Sequence, residues 1–175
     1  MGMKVQIGII LPVIWTTRDS MATAADTIAL VRLRTYAGLD TQDRPFDSYA
    51  PYSQTPIYIS MRGARLRPKG GRKTKSGKSM FFQGGYKEYK QKSRRRRTKG
   101  GANQTAEIDL TLSGALMNNL VTTAATPTSF KIGLSGAVRS YGYYVHARRP
   151  FIGLSSSDQR KVTDAVAARI RKRLS

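Results

Sequence analysis

The stretch RPFIGLSSSD, residues 149–158, decides how the chain ends its fold. Its phenylalanine and leucine are apolar and Gly153 can turn the backbone, so we expect an extended entry that buries both side chains. Ser156 and Gln159 follow with the S-x-x-Q spacing of a capping box. A stripe of helical period comes next, formed by Val162, Ala165, Val166, Ile170 and Leu174. The pattern predicts a terminal helix packed on the core.

Upstream patterns predict strands and a second helix. Val5, Ile7 and Ile9 alternate as in a strand, and Gln6 and Pro12 interrupt the run that a signal peptide would need. A helix capped by Asp19 or Ser20 is expected to continue to about Ala37. The remaining expectations are strands at 57–61 and 107–112, a short helix from Ser113 to Leu120, a hairpin of 121–124 with 130–134, and a compact, partly irregular aromatic segment at 140–154.

Two amphipathic helices and about five strands predict an α+β fold, with the helices packed on a mainly antiparallel sheet. The 175 residues are expected to form a single domain. Residues 62–105 differ in composition, being rich in Gly, Lys, Arg, Ser and Gln. Such a segment buries little apolar surface, so we expect a flexible or partner-ordered insertion, here called the basic arm (62–105). Its aromatic patch at 80–89 is expected to dock it.

The net charge of +21 is concentrated in this arm. Residues 62–99 contain 16 Lys and Arg against the single acid Glu88, a net +15. A field of this size favours DNA, RNA, an anionic membrane surface or an acidic protein partner. No recognition-helix or RNA-binding signature accompanies it, so sequence-independent contact is expected. The residues expected to contact DNA or a partner are Arg72, Lys73, Lys75, Lys78, Lys90, Lys92, Arg94, Arg95, Arg96, Arg97 and Lys99.

Catalytic and metal-binding patterns are weak, so we expect no enzyme, cofactor or metal. The chain has no cysteine, and its single histidine, His146, is expected to be packed or hydrogen-bonded. GGRKTKSGKS at 70–79 has five residues between glycines where a phosphate loop needs four. Glu107 and Asp109 share a strand face without a third ligand in view. Turn formation explains Asp40, Asp43 and Asp47, and no apolar run is long enough for a membrane span.

Three blocks outside the arm resemble the tailed-phage virion morphogenesis family, the tail-completion or neck proteins of the Mu-like and P2-like kind. The blocks are YAGLDTQDRPFDSYAPYS at 36–53, IDLTLSGALMNNL at 108–120 and YYVHARRPFIGLSSSDQRKV at 143–162. The first lacks the usual glycine before its phenylalanine, and the arm between the first two is longer and more charged than in that family. The matching residues are Gly38, Asp40, Phe46, Tyr49, Ser53, Leu110, Thr111, Ser113, Gly114, Leu116, Arg149, Pro150, Phe151, Gly153, Leu154, Ser155 and Asp158.

The resemblance implies a structural ring subunit, a hexamer or dodecamer, in the virion neck. It would be assembled in the host cytoplasm between phage connector or head-completion proteins and tail-tube or tail-terminator proteins, near packaged DNA. The family carries no catalytic site, so Ser113, Gly114, Arg149, Pro150, Phe151, Gly153 and Leu154 are expected to be structural. The alternative is a general, sequence-independent nucleic-acid-binding protein of the ribosome- or nucleoid-associated type. A metal-dependent nuclease using Glu107 and Asp109 is a third and weaker possibility.

Overall fold

A computed structural model describes residues 5–8, 15–62, 68–93, 110 and 114–174, with backbone only for 5–8. It is an α+β structure with two three-stranded antiparallel sheets, ordered β1-β6-β5 and β2-β4-β3. The elements are β1 Val5–Gly8, α1 Thr17–Tyr36, β2 Ile57–Ser60, β3 Arg72–Lys73, β4 Ser79–Phe82, α2 Gly85–Ser93, α3 Ala115–Asn118, β5 Leu120–Thr126, β6 Ser129–Leu134, α4 Arg139–Arg148 and α5 Ser156–Leu174.

The predicted single sheet of about five strands is therefore wrong, although the α+β class is confirmed. Strand β2 does not join the sheet of the main body. It pairs instead with β4, which lies inside the basic arm, from Ile57 opposite Phe82 to Ser60 opposite Ser79. The aromatic residues of the arm supply an apolar face for β2, and this pairing creates the second sheet.

Helix α1 packs on the first sheet and carries α5 on its other side. Thr16 caps it: the Thr16 hydroxyl accepts a hydrogen bond from Asp19 N, and Thr16 N donates to the Asp19 carboxylate at 2.9 Å. The predicted caps, Asp19 and Ser20, are therefore one turn too late, because Asp19 is the N3 partner of a capping box. The main core is formed by Ala24, Ile28, Val31, Tyr36, Phe46, Leu116, Met117, Leu120, Phe130, Ile132, Leu134, Phe151 and Ile152.

The predicted hairpin of β5 and β6 is confirmed, with a register irregularity between Thr122 and Ala124. The short helix α3 is two residues shorter at its C-terminal end than predicted and is preceded by Gly114 at φ 78°. Of the strand predicted at 107–112, only Leu110 is described, and its φ of 55° is not a strand conformation. The other residues of that strand, and Ser113, lie outside the described residues.

Residues 139–148 form the helix α4, although an irregular segment was predicted there. The helix was not predicted because Gly142, one of its buried residues, has no side chain that could contribute to a hydrophobic period. A Cβ on Gly142 would lie 2.1 Å from Leu134 Cδ1 and 2.8 Å from Leu116 Cδ1. At Gly142 the bare backbone of α4 thus rests directly on β6 and α3, whereas Tyr141 is exposed and Tyr143 is partly buried against the main core.

The terminal helix α5 is confirmed, with its cap one residue earlier than predicted. Asp158 N donates to Ser155 Oγ at 3.2 Å, and Ser155 N donates back to Asp158 Oδ2 at 3.4 Å. The capping box therefore joins Ser155 and Asp158 rather than Ser156 and Gln159. Val162 and Val166 pack with Trp15 in a second apolar cluster between α1 and α5.

Within the arm that was predicted to be flexible or partner-ordered (62–105), residues 68–93 are described and contain β3, β4 and α2. With β2 they form a small unit, here called the hairpin module (57–60 and 68–93), in which α2 packs on β4. Its own core is formed by Met80, Phe82 and Tyr89. Edge-to-face contacts place Tyr89 5.2 Å from Phe82 and 5.9 Å from Tyr86, so a few aromatics order a mostly polar segment. Residues 63–67 and 94–105 lie outside the described residues.

Candidate nucleic-acid interface

Four of the predicted contact residues lie together on the β3–β4 hairpin. Arg72 and Lys73 form β3, and Lys75 and Lys78 lie in the turn. The turn is closed by Gly77 N donating to the carbonyl of Thr74 at 2.9 Å. All four cations are exposed, and none forms an ion pair with a described residue. They present an unpaired positive surface, here called the basic hairpin tip (Arg72, Lys73, Lys75 and Lys78).

One face of the same sheet is open and aromatic. Tyr58, Phe81 and Arg72 lie opposite one another on β2, β4 and β3. The rings of Tyr58 and Phe81 are 4.9 Å apart, and the Arg72 guanidinium lies 5.5 Å from the Phe81 centroid. Tyr58 remains 68% exposed. Planar rings and a guanidinium side by side are able to stack on bases or on a partner's side chains.

Lys90 and Lys92, also predicted as contact residues, are engaged within the protein. Lys90 is only 3% exposed, and its Nζ donates to the Tyr52 hydroxyl at 2.8 Å and lies 4.4 Å from the ring centroid. Lys92 Nζ pairs with Glu88 at 2.5 Å and donates to the carbonyl of Gly70. The hydrogen bond from Lys92, with that from the Gly84 amide, lowers the pKa of Glu88. Lys90 is thus buried in the packing of α2, whereas the exposed Lys92 has its charge paired with Glu88.

Arg94, Arg95, Arg96, Arg97 and Lys99 lie outside the described residues. The last described residue before them is Ser93, which ends α2. Ser93 Oγ accepts a hydrogen bond from Lys69 N at 2.9 Å, so the end of α2 is fixed to the chain segment that enters β3. The arginine run therefore starts from an anchored point of the hairpin module.

The third block is organised by Arg34, a buried residue of α1 that the sequence did not single out. Arg34 is 5% exposed, and its Nη1 pairs with the Asp158 carboxylate. Its Nη2 donates to the carbonyls of Phe151 at 2.9 Å and Gly153 at 2.8 Å. The guanidinium thereby holds the RPFIGL turn and the start of α5 against α1. Arg34 could have been predicted to be buried, because it follows Val31 by three residues and so lies on the same buried face of the helix.

Asp40 organises the first block in the same way. The side chain is fully buried and accepts four hydrogen bonds, from the amides of Gln42 and Arg44, from Arg44 Nε and from the Tyr49 hydroxyl. Burial raises the pKa of Asp40, but the hydrogen bonds from Tyr49, Arg44 and Gln42 outweigh it and lower the pKa to about 2. The turn predicted for Asp40 is thus built around an ionised carboxylate, whose charge is stabilised by hydrogen bonds from its own loop.

Several other residues of the third block pack or form hydrogen bonds within the protein. Phe151 is fully buried, Leu154 packs against the α1–α5 cluster, and the Pro150 carbonyl accepts a hydrogen bond from Thr41 N at 3.1 Å. Arg149 donates to the Ala50 carbonyl and lies 5.1 Å from the Tyr52 ring. Arg149 itself is half buried. Together with its neighbour Arg148 it lines a groove.

His146 is packed, as expected. It is 8% exposed, and its Nδ1 accepts hydrogen bonds from the amides of Phe151 and Ile152, each at 3.1 Å. Burial lowers its pKa, so the ring is a neutral acceptor near neutral pH. No cluster of three potential metal-ligating side chains occurs within the described residues.

Comparisons with known proteins add no relative to these observations. No family model matches the chain, and neither a curated protein nor a solved structure matches it. Across the described ranges, no helix is both long and apolar enough to cross a membrane.

Proposed function

We propose that this chain is a structural, non-enzymatic subunit of the head–tail junction of a tailed phage, and that it assembles into a closed ring of six or twelve copies. It would reside in the virion neck after assembly in the host cytoplasm. Its neighbours would be a connector or head-completion protein on one side and a tail-tube or tail-terminator protein on the other. The role requires no cofactor or metal.

The observation that carries this proposal is how the first and third blocks of the resemblance are joined. Thr41 N donates to the Pro150 carbonyl, and Ser157 Oγ donates to Asp43 at 3.0 Å. Arg34 adds the buried bridge to Asp158. Two of the matching residues, Pro150 and Asp158, are thereby fixed to the first block and to α1, and a rigid junction of this kind supports the role of a building block.

The basic hairpin tip gives the proposed ring its contact with DNA or with an acidic neighbouring subunit. Exposed Lys and Arg neutralise phosphates without reading bases, so the contact would be independent of sequence. Packaged DNA passing through a neck is such a partner, because any sequence must be accepted. The hairpin is held by its own apolar core, so its charges are displayed on an ordered element.

The test is head-to-tail joining by a variant with Gln at Arg72, Lys73, Lys75 and Lys78. A matched variant carries Gln at four exposed cations elsewhere, Arg139, Arg160, Lys161 and Arg171. Electron microscopy of lysates should show separate heads and tails with the first variant and joined particles with the second. Joined particles in both cases would refute the role of the tip, and a chain never found in particles would refute the neck assignment.

A second candidate, a general nucleic-acid-binding protein, is favoured by the open Tyr58–Phe81–Arg72 face. It predicts that the purified chain binds DNA, with log affinity falling by about 0.9 per log unit of salt for each phosphate contacted. Under this alternative the tip variant loses DNA affinity whereas particle assembly does not depend on the chain. The two measurements together separate the candidates.

A further inference from the structure

A groove with two lobes separates the hairpin module from α4. The first lobe has a volume of about 380 Å³ and lies between Tyr52, Tyr86, Tyr141 and Tyr144. The second has a volume of about 490 Å³ and is bounded by the backbone and rings of residues 49–53. The two lobes share Tyr52, Arg148 and Arg149, so a guanidinium pair lies where they meet. Volumes of this size suit small organic ligands.

The arginines at this junction keep hydrogen-bonding capacity for an anion. Arg148 is exposed, stacks 4.3 Å from the Tyr144 ring and forms no ion pair or hydrogen bond with a described residue. Arg149 Nε is buried without a hydrogen-bond partner, although Arg149 Nη2 donates to the Ala50 carbonyl. Among the described residues lining either lobe, none is a carboxylate. Among these described residues, an incoming phosphate would therefore meet donors and no repelling charge.

Tyrosine rings line both lobes, and Tyr49 and Tyr52 are those of the second. Tyr141 and Tyr144, in the first lobe, are 56% and 55% exposed, so their rings are accessible. Tyr86 also lines the first lobe and is in edge-to-face contact with Tyr52 at 5.3 Å. Burial, followed by its interactions with Tyr141, raises the pKa of Tyr86, so this hydroxyl stays neutral beside an anion. Ring faces next to cations are the elements that bind unstacked bases.

We infer that this groove binds a dinucleotide unit of single-stranded nucleic acid, with the phosphate on Arg148 and Arg149 and one base in each lobe. The two arginines lie between the two lobes, just as the phosphate of a dinucleotide lies between its two bases. An acidic peptide would match the charge but would leave the ring faces without stacking partners. The site is separate from the basic hairpin tip and independent of the proposed neck role, since it requires unpaired bases.

The experiment measures the binding of a fluorescent oligothymidylate by anisotropy, beside an abasic strand of equal length and charge. We expect the oligothymidylate to bind about 10-fold or more tightly than the abasic strand, because only the former stacks. Arg148→Gln and Tyr144→Ala should each weaken oligothymidylate binding by about 10-fold, whereas Arg171→Gln, a matched exposed cation, should change it by less than about twofold.

Four outcomes would overturn the inference. Equal affinity for the abasic strand would show that charge alone is recognised. An equal loss in Arg171→Gln would show that the groove is not the site. Loss of the preference for bases in Tyr58→Ala, with Tyr144→Ala unaffected, would move the site to the open face of the hairpin module. Displacement of the strand by an oligoglutamate at equal concentration would instead favour an acidic peptide. Circular dichroism of each variant confirms that it remains folded.

Discussion

Asp40→Asn replaces the most densely hydrogen-bonded carboxylate in the described structure without changing its size. All four groups that contact Asp40 are donors. An asparagine accepts through one oxygen only, so its NH₂ group would face donors in either orientation. The substitution therefore removes the negative charge and places two donors against each other.

The size of the effect follows from the pKa of Asp40, which falls from 3.8 to about 2. At about 1.4 kcal/mol per pKa unit, the folded state gains about 2 kcal/mol from ionised Asp40. Because the folded pKa is the lower one, this stability is fully present above 3.8 and is lost as the pH falls toward 2. Asp40→Asn should therefore lower the free energy of unfolding at neutral pH by about 2 kcal/mol or more.

The assay is urea unfolding followed by the fluorescence of Trp15, at neutral pH and at several values below 4. Trp15 is buried in the α1–α5 cluster and reports unfolding of the body. Asp47→Asn is the control, because Asp47 is exposed and lies in the same loop. The difference in free energy of unfolding between wild type and Asp40→Asn should decrease as the pH falls. A difference that is constant with pH, or no larger than the difference for Asp47→Asn, would show that ionised Asp40 does not stabilise this turn.

Three further variants test the packing. Gly142→Ala should lower the free energy of unfolding by about 1–3 kcal/mol, since the new methyl overlaps Leu134 and Leu116; an unchanged urea midpoint would contradict direct contact of α4 with β6. Arg34→Gln should lower the free energy of unfolding by about 3–5 kcal/mol, because Asp158 would stay buried without its cation. A thermal unfolding midpoint near that of wild type would contradict a stabilising Arg34–Asp158 ion pair. Phe82→Ala should speed hydrogen exchange in the hairpin module while α1 stays protected; equal loss of protection in both would show that the module has no separate core.

Elements with a clear hydrophobic period could be predicted from the sequence. The apolar stripe of α5 and the hairpin of β5 with β6 were predicted, and both elements were found in place. The predicted caps were displaced by one to four residues, because several Ser, Thr and Asp residues close together offer the same spacing. Only the hydrogen bonds of Thr16 and Ser155 distinguish among them.

Two features of the structure could not be predicted from the sequence, for physical reasons. The hairpin module is mostly polar, so composition predicted no core, yet Phe82 and Tyr89 suffice when β2 provides the opposing face. The groove depends on Tyr52 and Arg148, which are far apart in the chain. Their sequence signals, a tyrosine in a loop and an arginine before Arg149, do not show that tertiary packing brings them together.

Native mass spectrometry of the purified chain measures whether it assembles into the proposed ring. We expect a closed oligomer at six or twelve times the subunit mass of 19.4 kDa. Ring-shaped particles in electron micrographs of the same sample would show that the assembly is closed. A single species at 19.4 kDa over the whole concentration range, and also in the presence of connector and tail proteins, would contradict it.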